Sequence, residues 1–188
     1  MKTKEMVYVA LFAAVVAVLG LMPPIPMPFL PSPITLQTLG VMLAGAVLGA
    51  RLGFFSMLLF LVLVTAGLPL IAGGRGGLAV FVGPSGGFFL SWPFAAWVIG
   101  FLTDRMQHRL RYWHSVVFNI VGGMGVVYLI GIPYMAWMSG TPLWTATLGS
   151  LIFFPGDLTK TFVAAYLAVR LRRSLSLNQR MNKKEHTA

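Results

Sequence analysis

Charged residues cut this chain into long uncharged runs: 6–50, 52–74, 76–103 and 112–156, of 45, 23, 28 and 45 residues. A membrane-spanning helix needs about 20 mostly apolar residues, so each of the two longest runs must hold two segments. The runs are blocks of Leu, Val, Ala and Phe rather than period-two alternation, which favours helices over a β-barrel. The pattern predicts helices over 6–21, 34–50, 52–67, 87–103, 113–136 and from about 156 to the Arg170-Leu171-Arg172-Arg173 cluster. The expected fold is an all-α membrane protein, a bundle of six transmembrane helices in one domain over 1–173. Residues 174–188 read as a polar tail, frayed at its end.

The connections carry their own signals. Six prolines, Pro23, Pro24, Pro26, Pro28, Pro31 and Pro33, stand between the first two helices. No helix runs through them and no strand ladder can use them. The segment reads as a stiff apolar loop presenting Met27, Phe29 and Leu30, either as a rigid turn or as a lid over a ligand. The connection 70–84 holds Gly73-Gly74-Arg75-Gly76-Gly77 and leads into Gly83-Pro84-Ser85-Gly86-Gly87. Glycines let backbone bend sharply and approach a ligand closely. It is not a nucleotide-binding P-loop, because no Gly-Lys-Ser/Thr follows and no strand precedes it. Residues 139–155 read as a return loop containing a short apolar helical piece. On the first helix, Ala10, Ala13, Ala14 and Ala17 form overlapping small-xxx-small pairs. They suit internal helix packing or a docking face for a second membrane protein.

Charge adds orientation. The chain has 188 residues, 57% of them hydrophobic, and a formal net charge of +10. With an even number of helices, Lys2, Lys4, Arg51, Arg105, Arg109, Arg111, Arg170, Arg172, Arg173, Arg180, Lys183 and Lys184 share one side. That side is expected to be the cytoplasm, with both termini in it. Lys2 and Lys4 before an apolar run mimic a signal peptide, but no small-residue cleavage site follows, so this run is expected to be retained. The basic residues bracket apolar runs, which indicates topology and attraction to anionic membrane lipid, and no aromatic-interleaved groove points to nucleic acid. With no cysteine, disulfides, thiol catalysis and cysteine-ligated metal are excluded.

The two remaining cations, Arg75 and Lys160, fall in the opposite half with Asp157. Of the four acids, Glu5 and Glu185 lie in polar ends and Asp104 opens a basic connection. Asp157 alone follows an apolar run, Leu151-Ile152-Phe153-Phe154. A charge at membrane depth costs about 2.5–3.5 kcal/mol on insertion scales, so it persists with a partner and usually a task. Lys160 lies three residues on, on the same helical face. Asp157 also follows Pro155 at a helix start, where it suits a capping role. A small ligand with a carboxylate and a polar N–H/C=O head would suit Asp157, Lys160 and Arg75. Gln37, Ser85 and loop glycine N–H groups would supply neutral hydrogen bonds, and Trp92 or Trp144 an apolar wall.

Other classes fit less well. His108, His114 and His186 are scattered over the basic connection and tail, and a single intramembrane acid makes neither a two-carboxylate metal site nor an acid/base pair. No GxSxG occurs. No internal repeat suggests a channel or a two-halved transporter, and no nucleotide motif would power transport. A small intramembrane enzyme using Asp157 and Lys160 stands as the alternative from another class.

Four motifs in order, Pro33-Ile34-Thr35-Leu36-Gln37-Thr38-Leu39-Gly40, Gly73-Gly74-Arg75-Gly76-Gly77, Gly83-Pro84-Ser85-Gly86-Gly87-Phe88 and Pro155-Gly156-Asp157-Leu158-Thr159-Lys160, resemble the BioY family. These are the biotin-specific substrate-binding S components of energy-coupling factor (ECF) transporters, and the resemblance covers residues 5–173. It implies a six-helix bundle with cytoplasmic termini in a bacterial or archaeal cell (inner) membrane, and no enzymatic activity or cofactor. Biotin, or another small vitamin on the same bundle, would be captured on the outer side beneath the loop joining the first two helices. The resemblance carries substrate binding onto Asp157, Lys160 and Gln37, with Gly83, Ser85, Gly86 and Phe88 in the neighbouring motif. Where some relatives have Asn in the glycine loop and Arg shortly after Gly-Gly-Tyr, this chain has Arg75, Phe88 and Phe89, which moves the arginine's task to Arg75. Implied partners are a transmembrane T component and two ATPase subunits, docked on the alanine-rich face of the first helix.

Overall fold

A computed structural model describes residues 1–26, 32–106 and 110–185, with side chains at 173 and 175–185 left aside. Met27, Phe29, Leu30, His108, Arg109 and His186 therefore lie outside the described residues or side chains. Helix α1 (Thr3–Gly20) starts where the Glu5 carboxylate accepts the Lys2 backbone N–H at 3.0 Å. The prolines stop it. The neck of the following loop is closed by two backbone bonds between Ile25 and Ile34, 2.9 and 3.0 Å. Because Ile34 is held in that extended pair, α2 (Gln37–Leu48) begins three residues later than its apolar run.

Gly49, at φ +83°, turns the chain straight into α3 (Ala50–Thr65). A Cβ there would meet the Asp104 carboxylate. Asp104 Oδ2 accepts the Ala50 N–H at 2.9 Å, and Oδ1 accepts Arg172 Nη2 at 3.0 Å. Asp104 thus caps α3 from across the bundle and ties it to the last helix. The positive end of a helix favours such an anion.

After a hairpin-like turn pairing Ile71 with Arg75, a single helical turn, α4 (Ala79–Val82), precedes α5 (Gly86–Arg105). Helix α5 is the centre of the bundle, packed on α2 and α3 and on α7 (Val127–Ser139). Trp92, fully buried, sits between Phe60 and Phe89, with ring centroids 5.7 and 5.1 Å away. Helix α6 (Tyr112–Asn119) passes through a π-helical stretch, Ile120–Val126, directly into α7. The wide turn falls on Gly122, Gly123 and Gly125. A Cβ at Gly122 would strike Ile99 and one at Gly123 would strike Met42, so glycine permits close helix contact there.

Helix α8 (Leu143–Ser150) and a 3₁₀ turn (Leu151–Phe153) form the expected return segment. Helix α9 (Phe154–Glu185) then runs past the arginine cluster, so the backbone of the tail is helical where fraying is expected from sequence. Among the described residues there are no strands, only two isolated bridges. Four helical stretches among the described residues are long and apolar enough to cross a membrane: Thr3–Gly20, Gly86–Arg105, Tyr112–Ser139 and Leu143–Arg172. Gln37–Leu48 and Ala50–Thr65 are shorter apolar helices.

Candidate functional site

The first turns of α2, α5 and α9 converge at the end of the bundle away from the arginine-rich ends of α5 and α9. Between them and the first turn of α7 lies a cavity. Its apolar wall is Phe88, Phe89, Trp92, Val127 and Phe153, and the neck of the proline loop, Pro33 to Thr35, borders it. Phe88 meets Phe153 edge-on at 6.2 Å and rests where a Cβ on Gly131 would stand, so a glycine on α7 makes room for the aromatic wall.

Asp157 and Lys160 form the polar end. Both are 7% exposed. Lys160 Nζ lies 2.8 Å from Asp157 Oδ1 and donates a second bond, 3.1 Å, to Thr38 Oγ1. The Tyr128 hydroxyl donates to Asp157 Oδ2 at 2.6 Å. Asp157 is therefore no helix cap: the helix starts earlier, at Phe154, and the carboxylate turns sideways into the cavity. The cross-bundle capping role belongs to Asp104. Each Asp157 oxygen has one partner and keeps a lone pair, and Lys160 keeps a third N–H.

Arg75 lines the cavity from the glycine loop, is itself exposed, and donates Nε to the Ala72 carbonyl at 3.3 Å. Gly73 and Gly74, at φ +82° and +70°, make the turn that presents it. With one acid and two cations the cavity is net positive, and three helix N-termini add partial positive charge. Such a site suits a ligand with a carboxylate.

Gln37 is placed differently from Asp157 and Lys160. It is fully buried behind the cavity wall, donating to the carbonyls of Val16 (3.3 Å) and Leu70 (2.9 Å) and accepting the Ala72 N–H (3.0 Å). All its hydrogen bonds knit α1 to the glycine loop. Ser85 is buried and donates to Ser32 Oγ at 3.1 Å, and Ser32 rather than Ser85 lines the cavity. Gly83 and Gly86 form the turn opening α5, where Gly86 N–H meets the Gly83 carbonyl at 2.9 Å. A Cβ on Gly86 would clash with the Phe81 carbonyl. Trp92 is in the wall, whereas Trp144 is 71% exposed on α8. Sequence reading missed Tyr128, Thr38 and Ser32. Tyr128 had a signal, as a hydroxyl deep in an apolar run, while the partnership of Thr38 with a residue 122 positions away had none.

On α1 the four alanines divide. Ala10 and Ala14 are exposed, beside exposed Val7, Leu11 and Val18; Ala13 is buried and Ala17 packs on the core.

This geometry has known counterparts. The model of the BioY family matches residues 1–177. The chain belongs to the BioY family. It is 45% identical to the probable biotin transporter BioY of Bacillus subtilis, over 96% of this chain and 97% of that protein. It is also 45% identical to the biotin transporter BioY of Rhizobium etli, covering 89% of this chain and 92% of that protein. A crystal structure of the S component for biotin from an ECF-type ABC transporter superposes with a TM-score of 0.88 at 35% identity, covering 92% of this chain and 95% of that one. The BioY match spans nearly the whole chain, and with it the cavity, its polar end and the alanine-bearing helix.

Proposed function

We propose that this chain is the biotin-capturing subunit of a vitamin uptake transporter, and that the cavity around Asp157 and Lys160 is its binding site. The observation that carries the reading is the buried, doubly hydrogen-bonded Asp157 carboxylate with open lone pairs, next to an amine with an unused N–H. Biotin presents two ureido N–H groups, a ureido oxygen and a carboxylate on an apolar body. The ureido N–H groups suit Asp157. Lys160 suits the ureido oxygen, and Arg75 at the rim suits the carboxylate, since the two cations lie at different depths. Phe88, Trp92 and Phe153 suit the apolar body, and Gln37, Gly83, Ser85 and Gly86 act by shaping the loops around it. The proline loop, tethered at Ile25 and Ile34, serves as the lid.

Four long apolar helices and two shorter ones support six crossings. An even count would put both termini with the basic clusters, on the cytoplasmic side of a bacterial or archaeal cell (inner) membrane. The chain binds and delivers; it does not catalyse. Among the described residues, Asp157 is the one carboxylate in the cavity lining, with no second for acid/base work. The solved relative is an S component of an ECF-type ABC transporter, so the expected partners are a T component and two ATPase subunits. The exposed side of α1, with Ala10 and Ala14 where a second backbone can approach closely, suits the T component.

The deciding experiment is equilibrium binding of labelled biotin to the purified chain in detergent. Submicromolar binding is expected, with losses of at least about 100-fold in Asp157→Asn and Lys160→Ala, as for removal of a buried charged hydrogen-bond partner. Unaltered binding in both variants would remove the cavity as the site.

A further inference from the structure

A second concavity lies on the outside of the bundle, toward the basic end. It is a groove between α3 and α5 lined by Ala50, Arg51, Phe54, Phe55, Phe94 and Trp97. Phe54 meets Phe55 and Phe94 edge-on at 5.8 and 6.0 Å. Trp97 stacks on Phe101 at 5.5 Å, and the Arg105 guanidinium lies 4.4 Å from the Phe101 ring centre. Phe94, Trp97, Phe101 and Arg105 thus make one outward row along α5, aromatic for most of its length and cationic at its end. All three aromatics are exposed.

Charge at that end is unbalanced. Asp104, the nearby acid, is engaged by the Ala50 N–H and by Arg172. Arg51, exposed at the start of α3, makes no hydrogen bond or ion pair among the described residues. Because Gly100 of α5 packs on the Gly49–Ala50 backbone, Arg51 and Arg105 stand at the same end of the groove.

The dimensions narrow the occupant. From Phe94 to Arg105 a helix rises about 16 Å at 1.5 Å per residue. That matches one leaflet, half of a hydrocarbon core about 30 Å thick. One molecule that supplies an anion at the boundary and an apolar chain of that length is a phospholipid. We propose that the α3–α5 groove binds one anionic phospholipid of the leaflet on the basic side. Its phosphate sits between Arg51 and Arg105, and an acyl chain lies along Phe54, Phe94 and Trp97. The site shares no residue with the cavity and does not depend on what the cavity binds.

The test is native mass spectrometry of the full chain, delipidated and titrated with phosphatidylglycerol or phosphatidylcholine of matched acyl chains. The first phosphatidylglycerol is expected to bind about fivefold or more tightly than phosphatidylcholine, from the attraction of the two arginines, and the preference shrinks at high salt. In Arg51→Gln/Arg105→Gln the preference falls to near parity, while Arg111→Gln, off the groove, keeps it. Trp97→Ala weakens both lipids alike. Equal binding of the two lipids by the unaltered chain overturns the proposal whatever the variants do. A preference that survives in the double variant, its melting temperature unchanged, overturns it too, as does a dimer that fills the groove and is lost with Trp97→Ala.

Discussion

The Tyr128 hydroxyl donates to Asp157 Oδ2 across 2.6 Å, joining the start of α7 to the start of α9. Lys160 holds the other oxygen from the opposite side at 2.8 Å. The carboxylate is thereby fixed in the cavity before any ligand arrives, and ordering it at the moment of binding costs little. Tyr128→Phe is expected to weaken biotin about three- to tenfold, near 1 kcal/mol, with the fold intact. Calorimetric titration of both forms measures this. Equal affinities would place Tyr128 outside the binding apparatus.

Lys160 and Asp157 also matter for stability, and a double variant separates the two roles. Lys160→Met strands a mostly buried carboxylate and is expected to cost up to about 3 kcal/mol, the low end for a buried pair because the cavity opens outward. Asp157→Leu/Lys160→Met removes both charges and should melt close to the unaltered chain while binding no biotin. Thermal unfolding followed by labelled-biotin binding gives both readings. A double variant less stable than Lys160→Met would show that the pair holds the fold itself.

Gln37 is expected to act on the ligand through structure. Gln37→Leu leaves the Ala72 N–H and the Leu70 carbonyl without their partner, each unsatisfied group costing on the order of 1–3 kcal/mol, and removes a second donor from the Val16 carbonyl. The expected result is a clear drop in melting temperature with a secondary loss of biotin affinity, because the glycine loop carrying Arg75 is released. Lost affinity at an unchanged melting temperature would instead mean direct contact with ligand.

Asp104 predicts an order of effects at the basic end. Asp104→Ala removes the cap on Ala50 together with the Arg172 pair and should cost about 1–2 kcal/mol. Arg172→Gln breaks only the exposed ion pair and should cost well under 1 kcal/mol. Neither should change biotin affinity. Denaturation curves that rank Arg172→Gln above Asp104→Ala would remove the capping account.

Topology is open to direct measurement because the chain has no cysteine, so any introduced one is the sole thiol. A membrane-impermeant maleimide applied to intact cells should label Gly140→Cys, in the turn after α7, and should spare Arg111→Cys until the membrane is broken. The reverse pattern would invert the orientation.

Much of this protein is legible in the linear pattern, because lipid sets a local rule. Every apolar block long enough to satisfy its own backbone becomes a helix, and prolines and glycines mark where that ends. Asp157 and Lys160 stood out for the same reason: charge in an oily run needs an explanation that neighbours in sequence can partly supply. Helix boundaries shifted where distant partners intervened, as when Ile34 paired with Ile25 and shortened α2. What only packing decided was which polar groups meet. Gln37 and Thr38 are adjacent in sequence, yet one is consumed by backbone groups behind the wall and the other receives Lys160 at the cavity. Asp104, in sequence only the start of a basic connection, caps α3, and Asp157, placed at a helix start, faces the cavity and caps nothing. A side chain's partners depend on which helices lie beside it, and that is set by the close-packed interior of the whole bundle, with no local residue pattern to announce it.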